Sequence, residues 1–363
     1  MPATKPSLQL LCPGLFGADV DGAGPLDRTP ALDRLLVRAN ARETQPRDPP
    51  ETLAGAFGLK TPAGLDLPSA ALCLLAEAPE LALDGDWFHA DPVHLHADRD
   101  RLLLFAGPSL ELELAEAAAL VAAFNAHFAE DGLRLVAPRP GSWYLRVEVG
   151  PRLRTSPLHA VTGQALDAFL PTGADARAWN RWQNEAQMLF YQHPVNQERQ
   201  RLGRPTISGV WTWGGGVLPK VPDAPAMTIA DHPLAAGLVR AAGGHLLGLD
   251  ALTAAPLAWL ESGLRPSAEV VIFWDALWWP ALTEARDAWC AALADLEALV
   301  ARLCAELAAG RLGSVTLDDG QRWTFTLTVW GQRRVWRRGG GLRERLGSMG
   351  AAARRGRGAA PTA

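Results

Sequence analysis

The chain has 363 residues, 48% hydrophobic and 20% charged, and a formal net charge of -4. That length holds two domains, or one large α/β domain with an insertion, and the charge balance gives no sign of a nucleic-acid partner. The four cysteines, Cys12, Cys73, Cys290 and Cys304, form no CxxC pair, which speaks against a redox motif or zinc ribbon and predicts buried thiols of a cytoplasmic protein.

The short apolar stretch near the start is broken by Pro13 and Gly14, unlike the long apolar region of a signal peptide. No run approaches the ~20 apolar residues of a membrane-spanning helix. Leu8 to Cys12 is expected to be a buried strand entering a loop. Thr29-Pro30 predicts a helix start, with threonine as cap and proline at the first helical position. Residues 42–68, rich in Pro and Gly, are expected to be loop, and Ala70 to Ala76 helix. Arg101 to Phe105 reads as strand. Leu114, Ala117, Ala118, Val121, Phe124 and Phe128 recur at helical spacing before Gly132, which predicts a helix over 113–130. Trp143, Leu145, Val147 and Val149 alternate with polar residues, as in a half-buried strand. Asp175 to Gln192 carries Trp179, Trp182, Ala186 and Leu189 on one helical face.

From Ile207 onward the texture is α/β. Val270 to Trp274 predicts a buried strand. Trp289, Leu293, Leu296, Val300, Leu303 and Leu307 form one stripe, so a helix is expected over 284–309. Asp318-Asp319-Gly320 signals a hairpin turn before the alternating residues 322–329. Near the end, Arg333, Arg334, Arg337, Arg338, Arg343, Arg345, Arg354, Arg355 and Arg357 sit among Gly and Ala. Residues 337–363 are therefore expected to be a disordered basic tail, either solubilising or touching an acidic partner or a membrane surface.

The most specific stretch runs from Leu153 to Pro219. It contains LRTSPLHAVTGQALDAFLPTG, then HPVNQERQRLGRP, then WTWGGGVLP. In order, spacing and residue type it resembles the archaeal-type cofactor-independent phosphoglycerate mutases, members of the alkaline-phosphatase superfamily. Thr29 to Leu35 and Gly141 to Arg146 add weaker matches. In texture the chain is similar to the RpfE-type regulatory proteins of proteobacteria, which implies a bacterial source. The resemblance implies an α/β fold: an alkaline-phosphatase-like sheet domain from residues 1–85 and 206–336, with a smaller inserted α+β substrate domain over 86–205. It also implies two divalent metals held by Asp and His, and a serine nucleophile.

Those ligand positions depart from the family pattern. Pro13-Gly14 stands where an Asp-Gly belongs. Ser69 is near the nucleophile position but is followed by Ala70, and Asp275 lacks the Gly-His that should follow it. Asp318-Asp319 is accounted for by the hairpin. Elsewhere, His89, Asp91, His94, His96 and Asp98 resemble metal ligands, His94 and His96 sharing a strand face; a polar strand explains them equally.

Arg181 and Asn184 lie three apart on a predicted helix, followed by His193, Asn196, Arg199 and Arg204. Such donors suit a phosphate or carboxylate, and His159 corresponds to a family histidine; surface charge and capping are the alternative. The Trp211-Thr212-Trp213-Gly214-Gly215-Gly216 run could cradle a phosphate or turn the chain after a strand.

Three functions remain open. One is a metal-free regulatory protein sensing a phosphorylated small acid. Another is a working mutase or phosphatase that uses manganese or zinc through rearranged ligands. The last is a tryptophan-rich interaction protein with a protein partner.

Overall fold

A computed structural model of the chain describes residues 5–17, 26–62, 64–98, 101–253, 257–261, 265 and 267–346. The chain forms two compact units. One comprises residues 1–60 and 221–363, the other residues 61–220. Both inserted-unit boundaries lie outside the expected 86–205, because the Ser69–Glu77 helix and the Gly209–Gly216 strand pack with strand Asp86–Asp98.

The first unit is built on a seven-stranded sheet. Its order is Leu246–Leu247, Met227–Ile229, Glu269–Phe273, Ser7–Leu11, Ser314–Asp318, Trp323–Thr328, Asn40–Glu43. The first five strands run parallel, Trp323–Thr328 runs antiparallel to them, and Asn40–Glu43, antiparallel to Trp323–Thr328, runs again in the direction of the first five. Leu8 pairs with Val270 and Val315, and Leu10 with Ile272 and Leu317. All six are buried. The expected long helix is present as Arg286–Ala308, and its predicted stripe packs into this core. Gly310 leaves that helix at φ 74, the left-handed geometry that ends helices.

Helix Pro30–Arg38 begins where Thr29-Pro30 places it, yet the threonine side chain does not cap it. Glu297 does: its carboxylate accepts from the Ala31 N–H at 2.6 Å and the Leu32 N–H at 2.8 Å. Negative charge at a helix N-terminus satisfies orphan donors and the dipole together. Residues 42–68 are not simply loop. They contain the rest of strand Asn40–Glu43 and a helix, Pro49–Ala56, whose two prolines occupy its first positions, where a missing N–H costs nothing.

The basic segment also differs from expectation. Leu342 and Leu346 are each 1% exposed within the first unit's core, and the Leu342 N–H donates to Asp33 at 2.7 Å. Two leucines four apart on a helical turn bury one face, so the packed body continues to 346. Residues 347–363 of the expected tail lie outside the described residues.

The second unit carries an antiparallel five-stranded sheet. Strand Asp86–Asp98 lies at its centre and pairs with Arg101–Ala106, Ser142–Val147 and Gly209–Gly216; Leu133–Arg139 pairs with Ser142–Val147. Helices Leu114–His127 and Ala176–Tyr191 supply Leu120, Phe124, Trp179, Ala186 and Phe190 to a core shared with Trp143 and Leu145. The first of these helices starts with a reciprocal capping box between Glu113 and Glu116, which satisfies two orphan donors. Among the described residues, no helix is long and apolar enough to cross a membrane. The chain is thus a mixed α/β protein, as the sequence predicts.

Candidate functional site

The densest group of unusual polar residues lies in the second unit, where helix Ser69–Glu77 meets strands Asp86–Asp98 and Gly209–Gly216. Alternation along the first strand aims His89 and Asp91 to one side. The His89 ring is buried and stacks on Trp213, centroids 4.1 Å apart at 15°, with Tyr144 on its other neighbour at 5.3 Å. His159 meets the Trp213 ring edge-on, 6.1 Å away. Indole Nε1–H of Trp213 donates to Asp91 Oδ2 at 2.5 Å, and Tyr144 OH donates to Glu77 at 3.0 Å. Glu77 also pairs with Arg139.

Enclosure sets the protonation of this group. Burial pushes the Asp91 carboxyl up to about 7, against the indole hydrogen bond and aided by the Glu77 charge. Burial likewise raises the Cys73 thiol and the Tyr144 hydroxyl, with nearby acids adding to both.

Ser69 is 2% exposed, and its Oγ finds no hydrogen-bond partner among the described residues. It lies against Gly214, held at φ 62; a Cβ there would fall 2.3 Å from Ser69 Oγ and 3.2 Å from His89 Cδ2. A Cβ on Gly215 would enter the Phe88 ring at 2.0 Å. These glycines are therefore required by close packing within a strand. The glycine run is neither a free phosphate cradle nor a turn after a strand.

In the first unit, the C-terminal ends of the parallel strands are the expected place for a ligand in an α/β sheet. Cys12, Asp231, Asp275 and Asp319 follow four of those strands, and Asp318 is the last residue of one of them. Burial raises the Cys12 thiol, and the charges of Asp319 and Asp275 add to the effect. Burial also raises the Asp275 and Asp319 carboxyls.

Three of these carboxylates are already engaged, Asp231 by the Leu249 N–H at 3.1 Å. Asp318 accepts from Arg47 at 2.8 and 3.3 Å and from the Gly320 N–H at 2.8 Å. Asp319 Oδ1 accepts from the N–H groups of Gln321, Arg322 and Trp323. After the first strand, Gly14 at φ 83 is pressed so closely on the Leu277 backbone that a Cβ would meet its carbonyl oxygen at 2.5 Å. Its own carbonyl accepts from the Trp289 indole at 3.0 Å.

The residues expected to hold an anion are dispersed. Asn196 is buried, its amide donating to the carbonyls of Phe190 and Ile207 and accepting from the Ile207 N–H. Arg199 is 0% exposed; it donates to Pro205 O at 2.7 Å, to Glu116 at 2.7 Å and to Leu110 O. Both positions are accounted for as scaffold, because their donors are spent inside the unit. His193 caps helix Pro194–Arg201 by accepting from the Val195 N–H at 3.2 Å, and burial lowers its pKa. Arg181 and Asn184 stand exposed on the outer face of helix Ala176–Tyr191.

Nor are the expected metal ligands gathered. His94 Nδ1 lies 2.9 Å from Thr206 O and its ring 6.3 Å from that of His96. His89 and Asp91 point to the other strand face, and Asp275 belongs to the first unit. Among the described residues, no three His, Cys, Asp or Glu side chains form a group that could hold a metal ion. Sequence reasoning missed Tyr144, Glu77 and Trp213 as site residues. Only the alternation around Trp143 and the paired tryptophans at 211 and 213 hinted at them.

No protein-family model matches the chain. Over 72 residues it is 31% identical to the 2,3-bisphosphoglycerate-independent phosphoglycerate mutase of Methanosarcina mazei, which is 20% of this chain and 18% of that protein. It is 29% identical over 65 residues to a probable 2,3-bisphosphoglycerate-independent phosphoglycerate mutase of Geobacter sulfurreducens, 18% of this chain and 16% of that protein. The similarity thus spans less than a fifth of these curated relatives. Among solved structures, the PH0037 protein of Pyrococcus horikoshii shares the fold, with a TM-score of 0.51 at 14% identity over 90% of this chain and 88% of that one.

Proposed function

We propose that the chain is a phosphoglycerate-mutase-like protein of alkaline-phosphatase type that has given up the metal centre. It would bind a phosphorylated small acid in a regulatory, RpfE-like role. The observation that carries this reading is the donor set at the ends of the parallel strands. Two-metal phosphoryl transfer needs several free carboxylates and imidazoles around each cation. Here one turn offers Pro13 and a glycine packed on backbone. Asp318 is held by Arg47, and one oxygen of Asp319 by three backbone N–H groups. A pair of manganese or zinc ions does not fit such a set, so no catalytic step is routed through them.

What remains is chemistry suited to binding. His159 borders Trp213, and the buried Ser69 hydroxyl, lacking a partner among the described residues, is a donor that an anion's oxygen would satisfy. Arg181 and Asn184 offer a second placement, on the outer helix face.

Calorimetric titration of the full chain with 3-phosphoglycerate tests the proposal. The expected result is a dissociation constant below about 1 mM. Removing one charge-assisted hydrogen bond should weaken it roughly ten- to a hundredfold. Loss in His159→Ala puts the anion at the Trp213 edge, and loss in Arg181→Ala puts it on the outer face. If no phospho-acid binds at millimolar concentration, the sensing role fails.

A further inference from the structure

Between Trp330 and Arg338 the chain reads WGQRRVWRR. Trp330 is 74% exposed, Val335 67% and Trp336 72%. Single exposed apolar side chains are ordinary on protein surfaces, but two indoles and a valine on one short loop make a patch. The loop cannot fold them inward, because it is tied down on its other side. Arg334 Nη1 donates to Asn40 Oδ1 at 2.5 Å and Arg337 Nη1 to Ala39 O at 2.9 Å. Beyond them Leu342 and Leu346 enter the core. The body therefore holds the indoles outward.

Charge accompanies the patch. The Arg333 guanidinium lies 4.6 Å over the Trp330 ring, and Arg337 and Arg338 are exposed. From Arg333 to Ala363 there are nine arginines and a single acid, Glu344. That segment has a formal charge of +8 in a chain whose total is -4, which leaves -12 on the rest. A negative surface would attract this end of the sequence and repel the remainder.

We propose that the Trp330–Arg338 loop docks the protein peripherally on an anionic lipid surface. Trp330, Val335 and Trp336 enter the headgroup boundary, and the arginines meet lipid phosphates. Indole is amphipathic and favours the membrane–water boundary. Basic residues beside it add attraction to anionic lipid that salt screens. Val335 gains from a hydrocarbon environment but has no face on which a base could stack, which favours lipid over single-stranded nucleic acid.

The test is cosedimentation of the full chain with phosphatidylcholine vesicles, alone and mixed with phosphatidylglycerol, at low and raised salt. Binding is expected only with phosphatidylglycerol and should fall as salt rises. The double variant Trp330→Ser, Trp336→Ser should lose about tenfold in vesicle partitioning, with an unchanged circular-dichroism melt. If that variant does not fold, Arg333→Glu with Arg338→Glu decides, because it too should lose binding at low salt. The proposal is overturned if the unmodified chain stays in solution with phosphatidylglycerol at low salt, if a folded variant still sediments fully, or if the chain binds polyuridylate but no vesicle.

Discussion

Arg199 shows how one residue can be read in two ways. In sequence it stands among donors suited to an anion; in the fold it is sealed and bonded to Glu116, Leu110 and Pro205. Replacing it with methionine keeps the apolar stem but strands a carboxylate and two carbonyls. Arg199→Met should therefore destabilise the second unit by about 3 kcal/mol, measured by urea denaturation. The protein that remains folded should bind phospho-acid as before. A variant of full stability and weakened binding would return Arg199 to the ligand site.

Asp91 makes a prediction of the opposite kind, on pH. Its carboxyl is raised to about 7 in the fold, above its ordinary value, so between the two pKa values the native state holds a proton that the unfolded chain has released. Stability must then fall as pH rises from about 4 to about 7 and level off above it. Asp91→Asn keeps an acceptor for the Trp213 indole and removes the titration. Urea midpoints at about pH 5 and about pH 8 should separate in the unmodified chain and converge in the variant. Equal slopes in both would mean that Asp91 is charged in the fold.

At the scale of elements, the end of the chain gives the clearest expectation. Truncation after Arg338 removes Leu342 and Leu346, both 1% exposed, and the hydrogen bond to Asp33. Losing two buried leucines should cost about 3–6 kcal/mol, seen as a clear drop in thermal midpoint. Truncation after Leu346 should leave it nearly unchanged. An unaltered midpoint after the longer truncation would show that the Leu342 turn does not pack.

The same elements show what could be read from sequence. The Arg286–Ala308 helix is legible because its apolar period is unbroken over about five turns, from Trp289 to Leu307, and a glycine ends it. The Pro49–Ala56 helix was hidden because two prolines in a Pro- and Gly-rich stretch resemble loop, although both sit at its start. Strand Leu133–Arg139 has no clear sequence signal, because it follows a helix closely and carries polar residues among its apolar ones. The site was less legible still. Gly214 and Gly215 look like a phosphate loop until Ser69 and Phe88 are seen against them, and the partner of Asp91 is 122 residues away. Contacts of that range leave no local periodicity.

At the scale of the whole molecule, the two units differ in what their polar groups do. The first has a largely parallel sheet, and Asp231, Asp318 and Asp319 at its strand ends accept hydrogen bonds from within the unit. The second holds the buried polar cluster around Ser69, His89 and Trp213.

The proposed function requires that the architecture persist without phosphoryl transfer. A mutase assay on purified full chain with added manganese, following 3- to 2-phosphoglycerate interconversion, tests it most directly. No interconversion above the protein-free control is expected, with or without manganese. Manganese-dependent turnover that disappears in Ser69→Ala would contradict it and establish a working enzyme with rearranged ligands.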